Sequence, residues 1–395
     1  MATTRTIVIA GAGIGGLSAA LMLARRGFRV AVLERSRELA EVGAGIQLSP
    51  NALKPLYELG LGPALEEAAV RPERIEIRGA ANGGLLATIP LAAEIERRHG
   101  APYLVIHRAD IQRILHDAAC SDPDISVELG VSFIDAINHA NGVTVTADRD
   151  FEPIEYRGLA LIGADGVWSR VRRRVIGGPE PVYTNRTAWR ATIPAEALPA
   201  GLSRDATGLW LGRDAHLVHY PISGGRQINI VAVVADDWQE EDWSAEGDAN
   251  WLATRFERWA APAQALLATP ERWLKWALCG VDPDFDWTER SITLVGDAAH
   301  AMLPFLAQGG AMAIEDAAVL ARELADPSTD IPAALARYEI ARKPRVTRVV
   351  REAAENGRVY HWSGPAALAR NLVLRNSSPE KLVSRYDWLY GWTAD

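Results

Sequence analysis

The chain has 395 residues, 48% apolar and 23% charged, which is the composition of a globular protein with a sizeable core. That length allows two domains, or one large domain carrying an insertion. The net charge of −8 argues against nucleic acid or an anionic membrane as partner, because phosphate surfaces need clustered Lys and Arg; a small acidic substrate needs only one or two local cations.

A strand begins almost at once, over residues 5–10, with no charged and apolar leader before it. No later apolar run is long enough to span a bilayer, so a cytoplasmic location is expected. Cys120 and Cys279 are the only cysteines, without the spacing of a metal site or a redox dithiol. They read as small core residues, and no metal is expected.

After the first strand come a glycine turn, a helix over residues 14–26 ended by Gly27, and a second strand, Arg29–Glu34. This βαβ start implies a parallel sheet with helices on its faces. Residues 73–97 add strands to a second sheet. Residues 156–164 read as a strand feeding another glycine turn. From about residue 182 to 287 the texture changes to alternating runs at 209–211, 215–220 and 227–234, the last two separated by Ser223-Gly224-Gly225 as in a hairpin. Nine of the thirteen tryptophans fall between Trp189 and Trp287, which marks a separate core. Residues 291–296 repeat the strand-to-turn pattern, and helices follow over 311–324 and 333 to about 358. The expected division is a discontinuous nucleotide-binding domain (1–72, 101–179, 288–370), a substrate domain (73–100, 180–287) and a C-terminal tail (371–395).

Gly11-Ala12-Gly13-Ile14-Gly15-Gly16 fits G-x-G-x-x-G between a strand and a helix, with Glu34 ending the next strand about twenty residues on. The first glycine permits the turn, the second lets a pyrophosphate approach, and the third packs helix on strand; a carboxylate at Glu34 suits ribose hydroxyls. The second motif is Gly163-Ala164-Asp165-Gly166, followed by Ser169, Arg170, Arg172 and Arg173, where an acid at a strand end also reads as a helix cap. The third is Gly296-Asp297-Ala298-Ala299-His300, then Pro304 and Gln308-Gly309-Gly310, with Glu315 and Asp316 in the helix beyond. Asp297 can accept from a sugar-alcohol hydroxyl, and the amides opening the helix at Gly309 favour negative charge.

In this order and spacing the three motifs resemble the group A flavoprotein monooxygenases, and within them the salicylate hydroxylase, 3-hydroxybenzoate 6-hydroxylase and 6-hydroxynicotinate 3-monooxygenase branch. Gly43-Ala44-Gly45-Ile46-Gln47-Leu48-Ser49-Pro50-Asn51 and His107-Arg108-Ala109-Asp110-Ile111 extend the likeness, which covers about residues 5–316. The resemblance implies an α/β fold: a Rossmann-like FAD-binding domain, an inserted antiparallel β-sheet substrate domain and a helical C-terminal region. Gly11, Gly13 and Gly16 would hold the pyrophosphate, with Gly15 and Gly45 also at the cofactor. Glu34 and Arg35 would hold the adenosine ribose, Arg108 the ribitol or phosphate side, and Asp297 the ribitol. Asp165 belongs to the motif linked with FAD and reduced nicotinamide. Gly309, Gly310 and Ala311 would meet the pyrimidine edge of the isoalloxazine, and Pro304 would flank the site of oxygen activation.

In such enzymes NADH or NADPH, bound transiently, reduces FAD; O2 then forms a C4a-hydroperoxyflavin that passes one oxygen to an electron-rich ring. Free phenols titrate near ~10 and histidine near ~6.5, so a histidine base suits the task. Ala215-His216-Leu217-Val218-His219-Tyr220-Pro221, read as a strand, places His216, Val218 and Tyr220 on one face and His219 on the other. His216 matches a phenol-activating histidine of the branch, and His216 and Tyr220 would flank the ring. Arg190 reads as a solvated or cross-strand arginine and His300 as structural. Pro304-Phe305-Leu306 stands where those relatives carry a polar Gln or His, which predicts a less polar pocket on the flavin side. The expected partners are a small aromatic substrate, O2 and NAD(P)H, with the protein a monomer or homodimer. An epoxidase of the same family and a non-catalytic binder keeping the nucleotide fold are the alternatives; the intact Gly296-Asp297 pair speaks against the second.

Overall fold

The structure, a computed structural model, describes residues 5–39, 45–240, 245–326 and 328–394. Gly43 and Ala44 of the extended motif lie outside the described residues.

Thr6–Ala10 and Arg29–Glu34 pair in parallel, Thr6 beside Arg29 and Ala10 beside Leu33. Parallel neighbours need a crossover, here the helix Ile14–Ala24. That helix is apolar nearly all round because it is enclosed, with the helix Gly309–Glu323 packed against it and buried residues throughout. The full sheet has six strands in the order Thr288–Glu289, Ile292–Leu294, Ala160–Gly163, Thr6–Ala10, Arg29–Glu34 and Ile125–Leu129, parallel except at the first pair. Ala10 lies beside Gly163, and Gly163 beside Leu294. The three motif turns therefore leave the carboxyl ends of three adjacent strands, where open α/β sheets bind their ligands.

The run at 156–164 is not one strand. Glu152–Gly158 lies in a three-stranded antiparallel sheet, while Ala160–Gly163 lies in the parallel one. At the join the Leu159 amide donates to the Thr6 carbonyl, and a Cβ on Gly158 would stand 2.9 Å from that same oxygen. A continuous apolar run does not reveal that a chain changes partners midway.

The second large sheet has eight strands, in the order Ala245–Gly247, Trp273–Gly280, Val182–Pro194, Gln227–Ala235, Ala215–Ile222, Ala206–Gly212, Arg74–Gly79 and Leu85–Pro90. It is mixed: Ala206–Gly212 pairs in parallel with Arg74–Gly79, and its other pairs are antiparallel. The parallel pair arises because the Arg74–Pro90 hairpin comes from a distant stretch of chain and docks on the edge. Trp189, Trp210, Trp259 and Trp273 pack with Ile228 and Ile230 in a core of their own on this sheet. Trp189 stacks on Trp251 with centroids 5.2 Å apart.

The C-terminal region is helical: Ile331–Tyr360, Gly364–Arg375, Pro379–Ser384 and Asp387–Tyr390. Leu389 and Tyr390 are buried against the main core, and Arg345 donates to the Leu389 and Trp388 carbonyls. The core expectation fails for Cys120, which is exposed, whereas Cys279 is half-buried against the cluster of Val167, Val281 and Ala301. Cys120 sits in the last turn of the amphipathic helix Arg108–Ser121, off its buried face of Ile111, Ile114, Leu115 and Ala119.

Candidate active site

A cleft of about 320 Å³ opens at the carboxyl ends of the parallel strands and faces the eight-stranded sheet. Its glycine turn divides by function. Gly11 has φ +110°, and a Cβ there would stand 2.4 Å from the Ala164 carbonyl oxygen; a Cβ on Gly16 would stand 2.0 Å from that of Gly11. These two serve the protein's own packing. A Cβ on Gly13 would meet nothing within 4 Å, and Gly13 lines the cleft with Gly15 at the start of the helix Ile14–Ala24. The helix amides there favour a phosphate. The Glu34 carboxylate accepts from the Ala12 and Ser36 amides, both at 2.9 Å, and so braces the turn from the neighbouring strand. Arg35 is exposed and does not line the cleft.

Asp165 lies between two cleft residues, Ala164 and Gly166. One carboxylate oxygen accepts from the Arg170 and Val171 amides at 2.7 and 3.2 Å, the capping arrangement; the other is buried without a partner. Burial pushes its pKa up, against the pull of those hydrogen bonds. Asp297, Arg108, Gly45, Gly309 and Gly310 all line the cleft, whereas Ala311 is buried behind it. A free glycine surface at a helix start, a carboxylate at Asp297, a cation at Arg108 and an orphaned oxygen on Asp165 together fit a dinucleotide such as FAD.

Beneath this wall runs a buried network. The Asn51 amide donates to Gln308 Oε1 at 3.0 Å and Glu315 Oε1 at 2.7 Å, and Gln308 donates to Ser49 Oγ at 3.0 Å. Arg342 bridges Glu315 at 2.6 Å and Asp316 at 2.7 Å, and Arg345 adds a second cation to Glu315 at 2.6 Å. Asp316 also accepts from the Gly296 amide and meets His300 Nε2 at 2.6 Å. Burial alone would raise the Asp316 pKa, but His300 and Arg342 override it and hold the carboxyl at about 2. His300 thus ties the Gly296-Asp297 turn to the helix carrying Gly309 and Gly310, a structural role.

Across the cleft stand His216, Val218 and Tyr220 from one strand, Val231 and Val233 from the next, and Trp276, Arg190 and Met302. His219 takes the opposite face, where its ring fills the space above Gly208; a Cβ there would be 2.0 Å from His219 Cε1. Arg190 is not solvated but is a cross-strand residue, lying against Trp276 of the adjoining strand Trp273–Gly280. It is 5% exposed, with its guanidinium 4.6 Å from the Trp276 ring centroid, and burial, with Arg108 nearby, lowers its pKa to about 10, still a cation at neutral pH. Strand alternation could not show that it faces a cleft. Of the Pro304–Leu306 turn only Pro304 lines this cleft. Phe305 packs toward Gly357 and, with Leu306, lines an adjoining and mainly apolar cavity shared with Pro304, His216 and Val218, in keeping with the apolar stretch.

His216 departs from expectation in one respect. It is 3% exposed, and burial, then His361 and Arg186, push its pKa well below the histidine value, so it does not titrate near neutrality. Its Nδ1 lies 2.9 Å from Nε2 of His361, at the end of the helix Ile331–Tyr360. Sequence reading missed His361, and no local motif surrounds it.

A glycine-lined cradle at the strand ends faces an aromatic and cationic wall, an arrangement with room for a dinucleotide and a small ring. Comparison with known proteins supplies the class. Residues 3–353 match the FAD binding domain family. Over 98% of its length the chain is 37% identical to the 3-hydroxybenzoate 6-hydroxylase of Polaromonas naphthalenivorans (strain CJ2), covering 96% of that protein. Its fold is similar to a salicylate hydroxylase in a substrate complex, with TM-score 0.84, 26% identity and 100% and 97% of the two chains covered. It is equally close to Klebsiella pneumoniae HpxO complexed with FAD and uric acid, at TM-score 0.84, 27% identity and 98% and 96% coverage. The chain belongs to the FAD binding domain family, as an FAD-dependent monooxygenase of its aromatic-hydroxylating group with NAD(P)H as reductant. Among the described residues no helix is long and apolar enough to cross a membrane.

Proposed function

We propose that the protein hydroxylates a phenolic or pyridine carboxylic acid, with the ring held in the cleft between the flavin-binding wall and the eight-stranded sheet. The observation that carries this reading is the shared cleft: His216, Tyr220 and Pro304 line the same cavity as Gly13, Asp297, Gly309 and Gly310. FAD, when bound, supplies the activated oxygen. The chain's own residues orient the ring and control its charge. Val218, Val231, Val233 and Trp276 give an apolar seat for the ring and exclude water, which strengthens every polar contact left inside. Arg190, buried and cationic, suits the substrate's carboxylate. His216 is the group proposed to meet the phenolic oxygen, with Tyr220 farther along the same strand.

The cofactor side belongs to the same proposal. Gly11 and Gly16 shape the turn, Gly13 and Gly15 meet the pyrophosphate, and Glu34 and Arg35 lie toward the ribose. Arg108, Asp165 and Asp297 flank the ribitol and phosphates, while Gly45, Gly309 and Gly310 form the backbone wall at the flavin ring, with Ala311 buried behind them.

The test is a panel of phenolic, pyridine and alkene acids, scoring hydroxylated product against NAD(P)H consumed, with His216→Gln alongside wild type. Stoichiometric hydroxylation of a phenolic or pyridine acid by wild type, lost in His216→Gln with FAD retained, is expected. Turnover confined to alkene acids would replace this reading with epoxidation.

A further inference from the structure

His216 and His361 share one proton along their 2.9 Å contact, and each ring is buried, at 3% and 7% exposure. Because Nδ1 of His216 is engaged, only its Nε2 remains to face a ligand. Two arrangements satisfy the contact. His216 can donate from Nδ1, leaving a bare Nε2 toward the cleft. Alternatively His361 can donate from Nε2, which requires His216 to carry its own proton on Nε2. The far end of the pair decides between them. Nδ1 of His361 is buried with no partner. In the first arrangement that atom is an orphaned N–H; in the second it is a lone pair without a donor. By analogy with backbone groups, where an orphaned buried N–H is rarer than an under-satisfied acceptor, the second arrangement is favoured.

Holding a second proton on the pair is also disfavoured. Phe305 and Tyr360 rings lie 5.1 and 5.6 Å from the His216 ring, and the ionisable groups bearing on the pair are cations, Arg186 from the strand Val182–Pro194, two strands away in the sheet, and Arg370 from the helix Gly364–Arg375. Burial, with those arginines, takes His361 down to about 3.

We propose that His361 is a positioning residue: it donates to Nδ1 of His216 and thereby makes His216 an Nε2–H donor toward the cleft. A phenolic substrate would then be held as its phenolate by a hydrogen bond from His216, not deprotonated by it. This rests on the reading that His216 meets the phenolic oxygen. The preparation for reaction is the same in either case, a ring carrying full phenolate charge, but the proton leaves to solvent before or during binding and is not stored on His216.

The first readout needs no substrate. The chain has eight histidines, few enough for ¹⁵N-histidine labelling of the FAD-loaded protein to resolve each ring, with His216→Gln and His361→Gln giving the assignments. At pH 8 both rings should be Nε2–H tautomers, with the His216 Nδ1 signal displaced by an accepted hydrogen bond. In His361→Leu that displacement should vanish, and hydroxylation per NAD(P)H should fall by roughly 10- to 100-fold, the loss seen when an orienting partner is removed from a metal-bound histidine. His361→Gln, whose side-chain amide still donates, should recover most of it. A His216 ring protonated on Nδ1 in wild type would overturn the inference, and so would wild-type coupling in His361→Leu. If His216→Gln itself hydroxylates normally, the reading of His216 at the substrate fails whatever the tautomer. The opposite tautomer with an inactive His216→Gln overturns the His361 assignment alone.

Discussion

The backbone of Gly45 lies so close to the Tyr220 ring that a Cβ on Gly45 would stand 2.4 Å from Tyr220 Cε2 and 2.9 Å from Ile222 Cγ2. Gly45 belongs to a strand that pairs with Leu104–His107, and Tyr220 to the substrate-facing sheet, so this contact sets the spacing of the two cleft walls. Gly45→Ala should push Tyr220 off its position at a cost of about 1–3 kcal/mol, the usual penalty for overpacking. FAD should remain bound while the KM for the aromatic acid rises and the Tm falls. Unchanged KM and Tm would show that the two walls are not held by this contact.

The glycine turn permits a separation of folding from cofactor binding. Gly13 has open space around it and Gly16 has none. Gly13→Val should therefore fold normally yet purify with little flavin, because its side chain projects where the pyrophosphate must come. Gly16→Val should fail at the level of the soluble protein. Asp297→Ala should weaken flavin retention without a large loss of stability. Full flavin content in both Gly13→Val and Asp297→Ala, read by absorbance after denaturation, would move the cofactor elsewhere.

Arg342 holds two buried carboxylates, Glu315 and Asp316, that brace the flavin-side turn. Arg342→Met leaves Asp316 without that cation, and removing one partner of a buried pair costs about 3–5 kcal/mol. Arg345 still reaches Glu315, so the damage should centre on Asp316 and the Gly296 amide it accepts from. Denaturant unfolding should show the loss, together with weaker FAD binding. A variant as stable as wild type would mean that the network is dispensable.

The buried histidines impose a pH dependence on stability. His361 sits at about 3 and His219 at about 4 in the folded protein, each depressed first by burial. Unfolded, each takes up a proton near ~6.5. Between those values the unfolded chain binds more protons, so stability rises with pH: it is complete above about 6.5 and falls below it, by up to about 1.4 kcal/mol per pH unit for each such histidine. Urea unfolding from pH 8 to pH 5 should show this slope, and His361→Gln should flatten it by one proton's worth. An equal slope in the variant would mean that His361 is not held neutral.

Much of this site was legible because its elements are local. Gly11 to Gly16 and Glu34 are fixed by one βαβ unit, and Asp297 to Gly310 by one strand-turn-helix passage. His216, Val218 and Tyr220 follow from strand alternation, which also put His219 behind the sheet. What was not legible lies in pairings between distant pieces of chain. His361 meets His216 across 145 residues, and nothing near His361 marks it. Arg190 read as a solvated or cross-strand arginine; its cross-strand contact with Trp276 is there, but alternation gives a face and not the cleft that lies opposite it. The same limit hid the switch at Leu159 and the parallel pairing of Arg74–Gly79 with Ala206–Gly212. The acidity of His216 was misjudged for a related reason: its ordinary pKa is a property of the residue, while its lowered one comes from burial and from His361 and Arg186.

The most direct test of the central claim is isotopic. The FAD-loaded protein is supplied with NADH or NADPH, ¹⁸O2 and 3-hydroxybenzoate or another acid from the panel, and the product is weighed by mass spectrometry. The account predicts a ring hydroxylated with one ¹⁸O atom per NAD(P)H consumed, the second oxygen atom leaving as water. Reductant consumed only to hydrogen peroxide across the whole panel, or oxygen in the product drawn from water, would contradict it.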